Sequence, residues 1–140
     1  MEKKRNLIEI AFKLLEKAEK KIESSKLLLD HELIEDSISR AYYAAFLAAK
    51  AALLILGEEP KTHQRTLILF GLKLVKKGLL PEILGRYLSD LLEKRQAADY
   101  AAITYLSKDD GSELIMKSEK IIQEIKAFLT SSLKKSKSLV

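Results

Sequence analysis

Hydrophobic residues recur every three or four positions between about residues 4 and 29, and lysines and glutamates fill the positions between them. This spacing places the apolar side chains along one stripe of an α-helix and the charged ones on the opposite face. The pattern therefore predicts an amphipathic first helix. A short turn at Asp30 and His31 follows, so the second helix should lie antiparallel to the first.

The second helix is predicted over about residues 33–56, and its two halves differ in character. The first half is amphipathic, whereas the sixteen residues 41–56 carry a single charge, Lys50. A helix that is apolar on every side must be covered by several neighbours, and small alanine side chains let those neighbours approach closely. We expect this helix to be the central one, packed within its own bundle and across a subunit interface.

Turn residues set the ends of three further helices. Glycine suits a helix C-terminus and proline cannot continue a helix, so Gly57 and Pro60 should end the central helix and Gly78 the next one. The predicted ranges are about 63–76 behind an N-cap at Thr62, about 81–106, and from a turn at 109–113, with Asp110 as cap, to about 133.

No run of residues suggests a strand, so the predicted fold class is all-α. We expect an up-and-down four-helix bundle with an additional short helix. Residues 1–133 should form a single helical domain, and the lysine-containing segment 134–140 a frayed basic tail.

Composition narrows the class of protein further. The chain contains no cysteine, no apparent signal peptide and no apolar run of the roughly 20 residues that a membrane span needs, so we expect a cytoplasmic protein. A net charge of +5, with both signs mixed along the helices, permits nucleic-acid binding without requiring it. One asparagine and three glutamines among many lysines and glutamates resemble proteins from hot environments.

Arg40 is the first candidate for chemistry. It falls in a mostly apolar row of the central helix, and Tyr43 shares its side of that helix. A buried arginine keeps its proton and needs carboxylates, carbonyls or a phosphate as partners. The alternatives are a structural pair with an acid on another helix and a contact with an RNA phosphate.

The fourth helix offers the acid. Arg95 and Asp99 are i,i+4 neighbours there, and Tyr100 follows directly. If the second and fourth helices are adjacent, Arg40 and Arg95 can share Asp99. Such a network would hold the bundle in register, or line a polar groove if one side stays open.

The two histidines have different prospects. His63 lies just after the expected cap, where one interpretation is a local hydrogen-bonding group. Because histidine titrates near neutral pH, the alternative is a general base or a phosphate ligand. His31 and Glu35 have a spacing that suits a metal ion but lack a third ligand, so we expect no metal site. No phosphate-binding glycine loop or other cofactor motif is visible, so no cofactor is expected.

Four stretches resemble the HEPN superfamily, most closely its small archaeal and bacterial branch UPF0332. They are SRAYYAAF at 39–46, AAKAALL at 48–54, PKTH at 60–63 and RQAADY at 95–100. The resemblance implies a four- or five-helix bundle that dimerises through its central helices. It also implies a role beside nucleotidyltransferase-like partners in toxin–antitoxin, defence or RNA-processing systems.

Some members of that superfamily are metal-independent endoribonucleases, in which an arginine is followed four to six residues later by a histidine. No arginine of this chain has a histidine at that distance: Leu47 stands seven residues after Arg40, and Asp99 four after Arg95. The nuclease motif therefore carries over to no pair of residues here.

We therefore expect a homodimeric, non-catalytic HEPN module that pairs with a nucleotidyltransferase-domain protein or binds RNA. Its polar groove would be lined by Arg40, Tyr43, His63, Arg95, Asp99 and Tyr100. One alternative is a metal-independent endoribonuclease that uses His63 with Arg40 or Arg95. The other is a purely structural dimerisation module whose polar residues only fix the helix register.

Overall fold

The structure is a computed structural model that describes residues 2–103 and 105–138, including their side chains except at positions 2, 4 and 136–138. It confirms the all-α prediction, and no strand occurs within those ranges. The α-helices are α1 (Glu2–Asp30), α2 (Ile34–Leu54), α3 (His63–Leu69), α4 (Ile83–Tyr100) and α5 (Lys108–Ser138), and a π-helical segment, Phe70–Val75, continues α3. None of the helices found in these ranges is long and apolar enough to cross a membrane.

The four long helices form an up-and-down bundle. Helix α2 packs against α1, α4 and α5, and α1 and α4 also contact α5. Ion pairs of Lys26 with Glu119 and of Lys126 with Glu19 show that α1 and α5 run in opposite directions. The short helix α3 and the π-helical segment lie against α2 and α4.

The alanines in the second half of α2 are buried within one chain. The side chains that are 0% exposed include those of Ala44, Ala45, Ala48, Ala51 and Ala52. These alanines are packed against α1, α4 and α5 and leave no surface for a second chain. The homodimer and its interface through the central helix stay predictions, and such an interface would have to use the partly exposed side chains of this stretch, such as Tyr43 and Lys50.

Three connections begin with the same arrangement of hydrogen bonds. After α2, the amide of Gly57 donates to the carbonyl of Leu54, and the amide of the next residue donates to the carbonyl of the residue five positions before it. The same pair of hydrogen bonds recurs at Gly78 and at Glu32. This motif places its turning residue in the left-handed region, here with φ of 82°, 74° and 62°. Glycine adopts that region freely, whereas Glu32 adopts it at a steric cost of about 1 to 2 kcal/mol.

Helix α4 ends earlier than predicted. It stops at Tyr100 instead of near residue 106, and Ala101 is already extended, with φ −78° and ψ 135°. Residues 101–103 are exposed, so a continued helix would bury nothing there. Helical periodicity in the sequence predicts that a segment can form a helix, but it does not indicate where the helix stops packing against its neighbours.

Helix α5 begins earlier than predicted and has a different cap. Its first residue is Lys108, and Ser107 accepts a hydrogen bond from the Asp110 amide while Asp110 accepts one from the Ser107 amide. This reciprocal pair is a capping box with Ser107 at the N-cap, so the expected cap at Asp110 is its third helical residue. The helix also runs to Ser138, past the expected end near residue 133.

Two buried serines fix the register of α1 against α2. The hydroxyl of Ser25 donates to the carbonyl of Ser37 at 2.6 Å, and the hydroxyl of Ser37 donates to the carbonyl of Ser25 at 2.8 Å. Across the bundle, the Ser118 hydroxyl donates to the carbonyl of Ala41 at 2.7 Å. A shift of either helix would leave these buried groups unpaired, which costs about 1 to 3 kcal/mol for each group.

Candidate functional site

An aromatic cluster lies where α2, α3 and α4 meet. The ring of His63 is stacked on Phe46, with centroids 4.1 Å apart and planes 4° apart. The Nδ1 atom of His63 lies 2.7 Å from the hydroxyl of Tyr42, which is one helical turn before Phe46 on α2. The guanidinium of Arg95 lies over the Tyr42 ring, 5.4 Å from its centroid, and the ammonium of Lys50 lies 5.7 Å from the centroid of Phe46.

The turn before α3 positions His63. The Thr62 side chain accepts a hydrogen bond from the Arg65 amide at 3.0 Å, which confirms the predicted cap. The hydroxyl of the buried Thr66 donates to the Thr62 carbonyl at 2.8 Å and anchors the same turn. His63 is thus the first residue of a firmly started helix, and its ring projects onto α2.

Either group can be the donor in the hydrogen bond between the Tyr42 hydroxyl and His63 Nδ1. Burial raises the pKa of Tyr42 to about 12, against a smaller opposing effect of Arg95, so its hydroxyl stays protonated near neutral pH. If Tyr42 donates to Nδ1, the neutral imidazole has its proton on Nε2 and donates outward. If Nδ1–H donates to Tyr42, Nε2 presents a lone pair and can act as a base.

A second polar group continues the site towards the start of α2. The Arg95 Nε pairs with Asp99 at 2.8 Å, and the other Asp99 oxygen accepts a hydrogen bond from the Ser39 hydroxyl. Both acid and arginine sit near the surface, so their pairing contributes little to stability but fixes the guanidinium beside Tyr42.

Arg40 does not have the position predicted for it. Its side chain is exposed instead of buried, because the buried face of α2 runs through Ser37, Ala41 and Ala44 and leaves Arg40 at the rim. Arg40 lines an open surface pocket of about 420 Å³ together with Asp99. Among the described carboxylates, however, none forms an ion pair with it, and Asp99 is shared by Arg95 and Ser39 instead.

The remaining predicted residues divide between the cluster and the surface. Tyr43 is half-buried and stacks on Phe46, with centroids 6.2 Å apart, and the ammonium of Lys21 lies 5.9 Å from its ring centroid. Tyr100 is 78% exposed and has no ring contact with the cluster. Sequence reasoning did not select Tyr42, Phe46 and Lys50, although their i,i+4 spacing on α2 was a usable signal.

The pKa of His63 is lowered, first by burial against Phe46 and then by the positive charges of Arg95 and Lys50. His63 is therefore neutral at pH 7. Because the unfolded chain binds a proton at this residue more readily, His63 lowers the stability of the fold as the pH falls below about 6.5.

Replacing Arg95 by glutamine should raise the pKa of His63. Of the two positive charges that lower this pKa, Arg95 has the larger effect, and its removal also leaves the Asp99 carboxylate without its ion-pair partner. The imidazole resonances of His63 can be followed by NMR against pH, and the chain has only two histidines to assign. Lys120→Gln, a change on α5 with loss of the same charge, is the control and should leave the midpoint in place. An unmoved midpoint in Arg95→Gln would contradict the electrostatic account.

Metal binding finds no support in the arrangement of side chains. Within residues 2–103 and 105–138, no three histidine, aspartate or glutamate side chains lie close enough together to hold an ion. His31 and Glu35 are both exposed near the start of α2. The His63 site presents an aromatic surface with two nearby cations and one titratable ring.

Comparisons with known proteins agree with this architecture. The model of the HEPN domain matches residues 11–128. A protein of Gloeobacter violaceus, named UPF0332 protein glr0978, is 37% identical over 83% of this chain and 93% of its own length. Two proteins of Methanocaldococcus jannaschii, "Putative toxin MJ0605" and "Putative toxin MJ0142", are each 34% identical; the aligned regions cover 83% and 85% of this chain and 86% and 81% of theirs.

The matched region includes all of α2, α3 and α4 and most of α1 and α5, so it contains the His63 site together with the bundle that supports it. The chain belongs to the HEPN family.

Proposed function

We propose that this chain is the RNA-contacting component of a toxin–antitoxin pair, and that the His63 site holds single-stranded RNA. The observation that carries the proposal is the exposed imidazole of His63 lying flat on Phe46, with the charges of Arg95 and Lys50 beside it. Proteins commonly hold single strands in this way, with bases on aromatic faces and phosphates at lysine and arginine side chains. The toxin names of two relatives support the same role.

The second member of the pair is, on this proposal, a nucleotidyltransferase-type protein. That partner class comes from the resemblance to HEPN modules of toxin–antitoxin systems. The His63 site is open to solvent, so a partner that covers it would compete with RNA. Antitoxin action would then amount to occupation of the RNA site.

Binding can be tested with a fluorescently labelled, mixed-sequence single-stranded RNA in the presence of EDTA. Wild type should bind, and Lys50→Gln should weaken binding about fivefold, because one cation near the phosphates is lost. The dependence of log affinity on log salt concentration should also become shallower by about 0.7 for one lost phosphate contact. Lys120→Gln removes the same charge on α5 and should have little effect. Absence of binding, or equal losses in both variants, would contradict the proposal.

A second function, metal-independent cleavage of RNA, is favoured by the bond between Tyr42 and His63. It fixes the imidazole ring, and the lowered pKa of His63 keeps that ring neutral at pH 7. With Nδ1–H donating to Tyr42, Nε2 can accept a proton from a ribose 2′-hydroxyl. Arg95 is the arginine beside His63 that can steady the phosphate, whereas Arg40 belongs to the neighbouring pocket.

The same incubations distinguish the two functions. RNA that is shortened by wild type but stays intact with His63→Ala would establish cleavage. RNA that is bound and recovered at full length would establish the binding role alone. Since EDTA is present throughout, a contaminating metal-dependent nuclease cannot produce the first result.

A further inference from the structure

The imidazole of His63 has one covered face and one open face. Phe46 lies against the first face at van der Waals distance, and the Tyr42 hydroxyl occupies the Nδ1 edge. The residue is nevertheless exposed. We infer that the exposed part of the ring is its opposite face and its Nε2 edge, the two sides that make no stacking contact or hydrogen bond with another described residue.

The rings that contact His63 hold it in a fixed position. Phe46 is nearly parallel to the imidazole, with planes 4° apart, and Tyr42 contacts both rings, with centroids 5.9 Å from Phe46 and 5.7 Å from His63. Tyr42 is 1% exposed and Phe46 8%, so both are fixed by the core. Of these three mutually contacting rings, only that of His63 belongs to an exposed residue.

Two cations lie beside the rings that contact His63. Arg95 is 5.4 Å from the centroid of Tyr42 and Lys50 is 5.7 Å from the centroid of Phe46, and both charges act on His63. A flat, uncharged ring stacked on His63 would extend the aromatic contacts, and a negatively charged chain attached to that ring would be attracted by these two side chains. A nucleobase within a ribose-phosphate chain has both properties, whereas an aromatic amino acid has only the first.

We propose that the open face of His63 is the stacking platform for one unpaired nucleobase. This inference rests on the proposed function, and it adds that the recognised substrate is unstacked, single-stranded RNA read through the flat face of a base. Stacking of this kind accepts any base, since every base has a π-face. The platform therefore selects for single-strandedness and not for sequence.

Other exposed aromatic side chains lack these features. Tyr105 is 92% exposed and Tyr100 is 78% exposed, so both are available to solvent. Neither has an aromatic ring stacked behind it or a cation over it among the described residues. Tyr43 has a stacked ring and a nearby cation but is half-buried, so among the exposed rings in the part of the chain that the structure describes only that of His63 has both.

The test separates the flat ring from its nitrogen atoms. Affinities of wild type, His63→Phe and His63→Leu are measured by fluorescence anisotropy for an oligouridylate of about 12 nucleotides, a length typical of single-strand binding sites. His63→Phe retains a flat ring and should bind within about twofold of wild type. His63→Leu has no π-face and should bind about tenfold more weakly, as expected for one lost stack. A ribose-phosphate chain of equal length without bases should show little difference among the three proteins.

Stacking on His63 can be observed directly by NMR with adenosine monophosphate as the probe. At a pH above the ordinary histidine value of about 6.5, the ring protons of His63 should shift upfield as the base stacks, while those of His31 should not. Unchanged His63 resonances, or equal affinities of His63→Leu and wild type, would overturn the platform.

The two proposals fail in different ways. If wild type binds the oligouridylate and Lys50→Gln weakens it, but His63→Leu does not, RNA binding stands and the stacking proposal is wrong. If wild type binds no RNA, both are wrong. If Phe and Leu variants lose affinity equally, the ring contributes through its nitrogen atoms and the stacking proposal is again wrong.

Discussion

Replacing Tyr42 by alanine should lower the free energy of unfolding by about 4 kcal/mol, the usual loss for a large aromatic side chain in a core. Tyr42 is 1% exposed and contacts the rings of both Phe46 and His63, so its removal leaves a cavity where α2, α3 and α4 meet. Urea denaturation followed by circular dichroism measures the change. Tyr43→Ala, the same truncation at a half-buried neighbour, should cost only about 1 to 2 kcal/mol.

Tyr42→Phe separates the ring of this residue from its hydroxyl. It should cost about 1 kcal/mol or less, because only the hydrogen bond to His63 is lost. The phenylalanine variant should therefore fold normally, with a His63 ring that no longer has a fixed orientation. A loss in Tyr42→Phe as large as in Tyr42→Ala would contradict this division of roles.

Replacing Ala48 by leucine should cost about 2 to 3 kcal/mol of unfolding free energy. Ala48 is 0% exposed and lies in the part of α2 that its own chain covers, so the added carbons must displace neighbouring helices. The same denaturation measurement applies. Ala127→Leu, on the exposed side of α5, is the matched control and should change stability by less than about 0.5 kcal/mol.

Ala48→Leu also bears on the location of a dimer interface. If the alanine-rich half of α2 met a second copy, leucine there would change the oligomeric state measured by sedimentation more than it changed the stability of the folded chain. We expect the reverse. A stable Ala48→Leu variant with an altered oligomeric state would show that this part of α2 is free for a partner.

Much of the fold could be predicted because the signals for it are local. Periodicity located all four long helices, and glycine located the turns after α2 and after the π-helical segment. The turn predicted at Asp30 and His31 is also present, but its left-handed residue is Glu32, a type that does not indicate such a backbone. The end of α4 was missed for a different reason, because alanines continue past Tyr100 while the packing does not.

The site was predictable only in part. The structure brings Arg95 close to His63 and pairs it with Asp99, whereas Arg40, which was expected in an apolar row, lies exposed at the rim of α2. A helical row predicts which residues share a side, and it does not fix how far the buried face extends. The contact of Tyr42 with His63 joins α2 to α3 across the turn at 55–62. Its geometry therefore depends on how that turn folds, and residue spacing within a helix does not predict it.

The order of the helices along the chain affects how the bundle is assembled during synthesis. The alanine-rich half of α2 is covered in part by α5, whose 31 residues are translated after every other helix described here. At about 5 to 20 residues per second, the ribosome needs roughly 2 to 6 s to make that helix. For that time the nascent chain carries an apolar strip that it cannot yet bury, and the amount of protein that escapes aggregation during synthesis depends on how quickly α5 docks.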